Sequence, residues 1–145
     1  MEEWVDKMRK WCSLQERCSW DSRRKMRRWD ASNEQIEAVI ERLIQENYLS
    51  DDRYLEAYVR THAEYKRWGP QKILSGLMAK GFSTDQARKA LTGLSDQSVA
   101  NALEHLAKQR AHELPKNKER LIRYLIGKGY GLGDILKCLS SLKHH

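Results

Sequence analysis

The chain has 145 residues, 40% of them hydrophobic and 32% charged, with a net charge of +7 and a mean hydropathy of −0.81. No stretch approaches the roughly 20 apolar residues of a membrane span, and the acidic start Met1-Glu2-Glu3-Trp4-Val5-Asp6 has no secretory-signal layout. Cys12, Cys18 and Cys138 are odd in number and lack Cys-x-x-Cys spacing, so reduced thiols in a cytoplasmic protein are expected in place of a disulfide framework.

The apolar spacing is helical throughout, and no run alternates as a strand would. Trp4, Met8 and Trp11 step by four and three and predict a first helix near 2–13, followed by a second from about Ser19 to Trp29. A third begins after Ser32 or Asn33 as cap and sets Ile36, Val39, Ile40, Leu43 and Ile44 on one face. Ser50 caps a long helix whose first turn carries Asp51 and Asp52, negative charge against the positive end of the helix dipole. Its buried stripe is expected to include Tyr54, Ala57, Tyr58, Thr61 and Tyr65. Gly69-Pro70 ends that helix and opens the next, because proline suits a first helical position. Ile73, Leu74 and Leu77 face inward until Lys80-Gly81, where glycine supplies a left-handed cap. Ser83 or Thr84 then caps a short helix bearing Ala87, Ala90 and Leu91. A helix from about Asp96 to Glu113 stops at Leu114-Pro115, another runs to Lys128-Gly129, and a last one covers roughly 132–142. His144 and His145 read either as native residues or as the stub of a purification tag.

The last third repeats the middle third. Lys72-Ile73-Leu74-Ser75-Gly76-Leu77-Met78-Ala79-Lys80-Gly81-Phe82 aligns with Arg120-Leu121-Ile122-Arg123-Tyr124-Leu125-Ile126-Gly127-Lys128-Gly129-Tyr130 at a shift of 48, and Leu91 falls on Leu139. A fainter copy upstream, at a shift of 51, sets Ser32-Asn33-Glu34-Gln35-Ile36 against Ser83-Thr84-Asp85-Gln86-Ala87. Three copies mean one small unit stacked in tandem, which favours a long binding face over an enzyme cleft. The expectation is an all-α, elongated and curved array of three tandem three-helix, helix-turn-helix-like repeats with nine helices, divided at 1–49, 50–94 and 95–145, and monomeric. Charge is uneven along it: residues 1–50 hold ten basic and ten acidic side chains, residues 51–100 eight and six, and residues 101–145 nine and four. Such an excess suits a polyanion, or a nucleoprotein with exposed phosphate.

Arg42-Leu43-Ile44-Gln45-Glu46-Asn47-Tyr48-Leu49-Ser50-Asp51-Asp52-Arg53-Tyr54 runs into Ala57-Tyr58-Val59-Arg60, and Lys66-Arg67-Trp68-Gly69-Pro70-Gln71-Lys72-Ile73 and Leu77-x-x-Lys80-Gly81 follow. This pattern resembles the RecX family, bacterial regulatory proteins that act on the RecA recombinase. Leu55 stands where the family pattern has alanine. The resemblance covers nearly the whole chain, strongest over 36–91 and thinnest after 97. It implies three tandem three-helix repeats that bind RecA and its filament on single-stranded DNA. It also implies that the chain lies in the filament's helical groove and inhibits filament extension, ATPase, strand exchange and co-protease activity. Single- and double-stranded DNA are candidate direct partners. The other reading is a stand-alone helix-turn-helix DNA-binding protein, transcriptional or architectural, although no unit offers the Asn/Gln/Arg-rich recognition helix of base readout.

The candidate RecA- or DNA-binding residues are basic. Arg23, Arg24, Arg27 and Arg28 belong to a run with five cations in six positions, where like charges at i,i+4 repel and reward an external anion. Lys66, Arg67, Lys72 and Lys80 mark the second unit, and Lys116, Lys118, Arg120, Arg123 and Lys128 the third. Lys72/Arg120 and Lys80/Lys128 occupy equivalent repeat positions. Trp4, Trp11, Trp20, Trp29 and Trp68 invite base stacking, but their helical spacing favours packing; Trp68 is expected nearest the surface, and Tyr48, Tyr54 and Tyr58 in the core. No catalytic, cofactor or metal constellation emerges. Gly127-x-Gly129-x-Gly131-x-Gly133 follows no strand and lacks the Gly-Lys-Ser/Thr of a phosphate loop. His62-Ala63-Glu64 has no Pro-Cys-x-x-Cys after it, and His105 and His112 lie too far apart to chelate one metal alone.

Overall fold

The computed structural model describes residues 1–142, so the expectation for His144 and His145 lies outside the described residues. Among the described residues all regular structure is helical. The elements are α1 (Glu2–Leu14), α2 (Ser19–Arg28), α3 (Asn33–Gln45), α4 (Asp51–Glu64), α5 (Pro70–Ala79), α6 (Thr84–Leu91), α7 (Asp96–Gln109), a 3-10 turn (Ala111–Glu113), α8 (Lys118–Gly127) and α9 (Leu132–Leu142). The chain forms two compact units, one of Met1–Ala57 and one from Tyr58 onward.

In the first unit α1 and α2 pack on α3, closing a core of Val5, Met8, Cys12, Met26, Ile36, Val39, Ile40, Leu43 and Leu49. Ile44, expected on the buried face, is 49% exposed. At roughly 100° per residue it lies about 80° from Ile36, at the edge of a stripe already filled by its neighbours. In the second unit α5 pairs with α6, while α7, α8 and α9 enclose Leu103, Leu106, Ala107, Leu121, Leu125, Tyr130, Ile135 and Leu139. Ile73 and Leu77 are wholly buried, Leu74 only partly.

The stripe of α4 differs from the expected one. Val59 is its buried residue, Tyr54, Ala57 and Tyr58 are half-buried, Thr61 is exposed and Tyr65 is 78% exposed. Tyr65 falls past the helix end, and the stripe turns toward Leu55 and Val59, four residues apart. Tyr48, expected in the core, is also surface-placed, under the Arg9 guanidinium 5.8 Å from its ring. The helix expected to reach Glu113 stops at Gln109 and continues as the 3-10 turn.

Caps explain why the helices begin and end where they do. Ser32 and Ser83 each accept from the backbone N–H three residues on, while Gln35 and Gln86 reach back to their N–H groups, so α3 and α6 start with full capping boxes. Four helices end in the same turn. A residue of positive φ, Asp30, Asn47, Gly81 or Gly129, donates to the carbonyl three residues back. The next residue, Ala31, Tyr48, Phe82 or Tyr130, donates to the carbonyl five back, completing the turn and satisfying end carbonyls. The repeats recognised at a shift of 48 thus share a backbone as well as a pattern: Gly81 has φ 86° and Gly129 φ 105°.

Candidate functional site

The sequence element from Tyr48 to Arg53 is scaffold. Leu49 is buried, and Ser50 accepts from the Arg53 N–H at 3.2 Å. Asp51 reaches back to accept the Ser19 N–H at 2.8 Å, so α4 caps the start of α2. The Arg53 guanidinium donates to both carboxylate oxygens of Glu16 at 2.9 and 3.0 Å and to the Asn47 carbonyl at 2.8 Å. These side chains fasten the start of α4 to the loop before α2 and to the end of α3.

Beyond α4 the chain turns sharply. Arg67 takes φ 52°, and the Trp68 N–H donates to the His62 carbonyl at 2.9 Å. The turn folds Trp68 back over α4, where Tyr58, His62 and Trp68 form a stack. Tyr58 and His62 have centroids 3.8 Å apart and planes 22° apart; His62 and Trp68 are 4.5 Å apart. The His62 Nδ1 lies 2.8 Å from the Tyr58 carbonyl, which can only accept, so Nδ1 carries the proton. Burial holds the His62 pKa below its ordinary value, the hydrogen bond opposes that, and nearby Lys66 adds to it. Gly76 makes room for the stack, because a Cβ there would meet the Tyr58 hydroxyl at 2.0 Å.

The start of α5 docks on the end of α8 through main chain. The Gly69 N–H donates to the Lys128 carbonyl at 2.7 Å and the Gln71 N–H to the Gly129 carbonyl at 3.0 Å. Orphan donors of one helix start thereby meet orphan acceptors of another helix end. The Tyr130 hydroxyl donates to the Arg67 carbonyl at 2.8 Å, and the Lys128 ammonium approaches the Lys66 carbonyl at 3.4 Å. Burial pushes the Tyr130 phenol up to about 12, so it remains a donor. Two glycines make the approach possible: a Cβ on Gly69 would lie 2.4 Å from the Gly129 oxygen, and one on Gly129 2.6 Å from the Lys72 Cβ.

This seat gathers four of the expected cations. Lys66 and Lys72 place ammonium groups 5.4 and 4.4 Å from the Trp68 ring, Arg67 lies between them in sequence, and Lys128 joins from the following repeat. Lys72 and Lys128, both at this seat, are not at equivalent repeat positions. Lys80 is half-buried; Lys116, Arg120 and Arg123 are exposed before and along α8, with Lys118 half-buried at its start. In the first unit Arg23 is held by Glu37 at 2.9 and 3.1 Å, which raises its own pKa and lowers that of the carboxylate, whereas Arg27 and Arg28 are exposed. Arg24 lies over Trp20 at 4.6 Å. Sequence reasoning passed over Arg110, which stacks on Tyr124 at 3.6 Å; it counted Lys25 as one cation of the basic run but did not foresee its place over Trp11 and Trp29. Arg110 and Tyr124 are 14 residues apart, as are Lys25 and Trp11, so the sequence does not bring those pairs together; only Lys25 and Trp29, four apart, are local.

The described residues form helical repeats whose surface carries clustered cations, which places the chain in the helical-repeat class of folds. No described helix is long and apolar enough to cross a membrane. The family model for the second three-helix domain of RecX matches residues 50–91. The chain is 33% identical to a regulatory protein RecX of Pseudomonas syringae over 120 residues, 81% of this chain and 77% of that protein. It is 34% identical to a regulatory protein RecX of Thermus thermophilus over 71% of this chain and 67% of the relative. A regulatory protein RecX of Streptococcus uberis is 30% identical over 79% of this chain, but the match spans only 45% of that longer protein. A crystal structure of RecX from Lactobacillus salivarius superposes with a TM-score of 0.78, 25% identity and full coverage of both chains. A crystal structure of a regulatory protein RecX, 23% identical, shares the fold with a TM-score of 0.83 over 97% of this chain and 71% of that one. The chain belongs to the RecX family of regulatory proteins.

Proposed function

We propose that this protein regulates the RecA recombinase by binding, without catalysis of its own. It engages RecA filaments on single-stranded DNA along their helical groove and inhibits filament extension, ATPase, strand exchange and co-protease activity in the cytoplasm. The three units proposed for this work are 1–49, 50–94 and 95–145. The observation that supports the reading, beside family membership, is the seat around Trp68. There Lys66, Arg67, Lys72 and Lys128 bring positive charge from successive repeats to one place, rigidly held by backbone hydrogen bonds. Contacts repeated along one chain against a periodic filament give avidity without a deep pocket. Arg24, Arg27 and Arg28, and the exposed Lys116, Arg120 and Arg123, are the further contact residues of this proposal, with Arg23, Lys80 and Lys118 at their margins.

The test is the single-stranded-DNA-dependent ATPase of the cognate RecA, titrated with this protein below one copy per recombinase. A fall at substoichiometric ratios is expected, and Lys72→Glu together with Lys66→Glu is expected to reduce it. An unchanged ATPase, with both proteins folded and RecA active, would refute the proposal and turn attention to duplex DNA.

A further inference from the structure

Four of the five tryptophans lie within the first 29 residues, and the regulator reading leaves them without a role. The structure threads them with cations. The Arg17 guanidinium lies on Trp11 at 4.1 Å; the Lys25 ammonium sits 5.7 Å from Trp11 and 5.1 Å from Trp29; the Lys7 ammonium sits 5.5 Å from Trp29 and 5.4 Å from Trp4. Trp4 and Trp29 are themselves 5.9 Å apart, with planes 31° apart. Trp4 and Trp11, two turns apart on α1 and about 10 Å along its axis, brace the ladder against the core. Trp29, at the end of α2, keeps 38% of its surface open.

The same unit treats four of its other arginines differently. Arg9 is bound by Asp6 and Glu46, Arg42 by Glu2 and Glu46, Arg23 by Glu37 and Arg53 by Glu16. A carboxylate cancels the charge it binds; an indole face orients a cation and leaves its charge and most of its N–H donors for another partner. Lys7, Arg17 and Lys25 are therefore positioned in advance yet not neutralised, which lowers the side-chain entropy an anion must remove.

We propose that this aromatic–cation ladder on α1 and α2 is a binding surface for single-stranded nucleic acid. Lys7, Arg17 and Lys25 take phosphates, and the open indole of Trp29 stacks an unpaired base. An acidic protein would use the cations and leave the indoles idle. A membrane surface needs apolar rings on one face and charges on the other, whereas here they alternate rung by rung. A duplex keeps its bases stacked and out of reach. Cationic groove plus aromatic platform is the arrangement that holds single strands without regard to sequence. The inference does not rest on the regulator reading, because the strand is bound by this chain alone.

The test uses the whole chain without any recombinase. Its tryptophan emission is titrated at low salt with oligothymidylate, with the corresponding duplex, and with anionic phospholipid vesicles. Saturable quenching by the single strand is expected. Trp29→Ala is expected to weaken it at least about fivefold, since loss of one base–aromatic stack is worth upward of about 1 kcal/mol, while Trp29→Phe retains most of the affinity. Lys7→Gln with Lys25→Gln is expected to flatten the slope of log affinity against log salt by about 1.4, two phosphates' worth for a single strand. Far-UV circular dichroism checks that each variant folds, and if Trp29→Ala does not, the salt slope of the lysine pair decides. Absence of binding, an unaffected folded Trp29→Ala, an unaltered salt slope, or binding of duplex or vesicles as tight as that of the single strand would each overturn the proposal.

Discussion

Replacing Gly69 by alanine isolates one contact. The backbone there has φ −79° and ψ 170°, a conformation alanine adopts freely, so torsional strain plays no part. Fewer unfolded conformations would even favour the variant by about 0.4–1 kcal/mol. Packing acts the other way. The new methyl would lie 2.4 Å from the Gly129 oxygen, 2.5 Å from its carbonyl carbon and 2.8 Å from the Tyr130 nitrogen, all main-chain atoms that no rotamer change can move. Ordinary carbon–oxygen approach begins near 3.3 Å, so the seat must open by about 1 Å. The bonds from the Gly69 and Gln71 N–H groups, at 2.7 and 3.0 Å, would then leave useful range, and the Tyr130–Arg67 bond at 2.8 Å with them. At about 1 kcal/mol net for each of three bonds, less the unfolded-state gain, the loss comes to roughly 2–3 kcal/mol. Urea unfolding followed by far-UV circular dichroism measures it as a lowered midpoint at unchanged slope. Gly127, with nothing within 4 Å of its would-be Cβ, is the control; alanine there in α8 is expected to add about 0.5–1 kcal/mol. A Gly69→Ala variant within about 0.5 kcal/mol of wild type would refute the claim that main-chain contact holds this seat.

Asp51→Ala removes the cap that α4 supplies to the Ser19 N–H and is expected to cost about 1 kcal/mol in the same unfolding experiment; Asp51→Asn, which keeps an acceptor, is expected to recover most of it. Burial pushes the Cys12 and Cys18 thiols up to about 11, so at neutral pH maleimide is expected to label the more accessible Cys138 in the native protein and the other two only on unfolding; equal rates would refute this. Burial and Lys66 hold His62 below the ordinary histidine pKa of about 6.5. The fold therefore favours the neutral ring, and the contribution is present above that value and declines as pH falls below it, because the unfolded chain takes up the proton first. The urea midpoint is expected to drop on acidification, and less so in His62→Gln; identical pH slopes would exclude His62 as the cause.

What could be read from the residues was local. Ser32, Ser50, Ser83, Pro70 and Gly81 each announce a helix end through chemistry that acts within four residues, and each acts as expected. Repeat alignment then carried Gly81 onto Gly129, correctly as far as conformation goes. Partnerships were illegible, because Arg23 finds Glu37, Arg42 finds Glu2 and Gly69 finds Lys128 only once the chain has folded. That is why Arg23 read as one of four equivalent arginines, although a carboxylate already holds it. One signal went unused. Four helices begin with a capping serine, whereas Gly69 occupies the same position of α5 without a side chain. A cap that contributes no oxygen implies acceptors from elsewhere. Ile44, Tyr48 and Tyr65 were misplaced for a different reason, since periodicity gives the centre of a stripe more surely than its edges.

The main-chain seat between α5 and α8 also governs how the molecule comes apart. Stacked repeats are often joined by side chains alone, so each link can open while its neighbours stay shut. Here neither helix can fray at this point without stranding the other's amides or carbonyls, a penalty of about 1–3 kcal/mol for each group left buried and unpaired. The second and third repeats are therefore expected to melt in one cooperative step. Their linkage is written mostly in backbone, with the Tyr130 hydroxyl and the Lys128 ammonium added to it, and its close approach depends on the bare Cα atoms of two glycines.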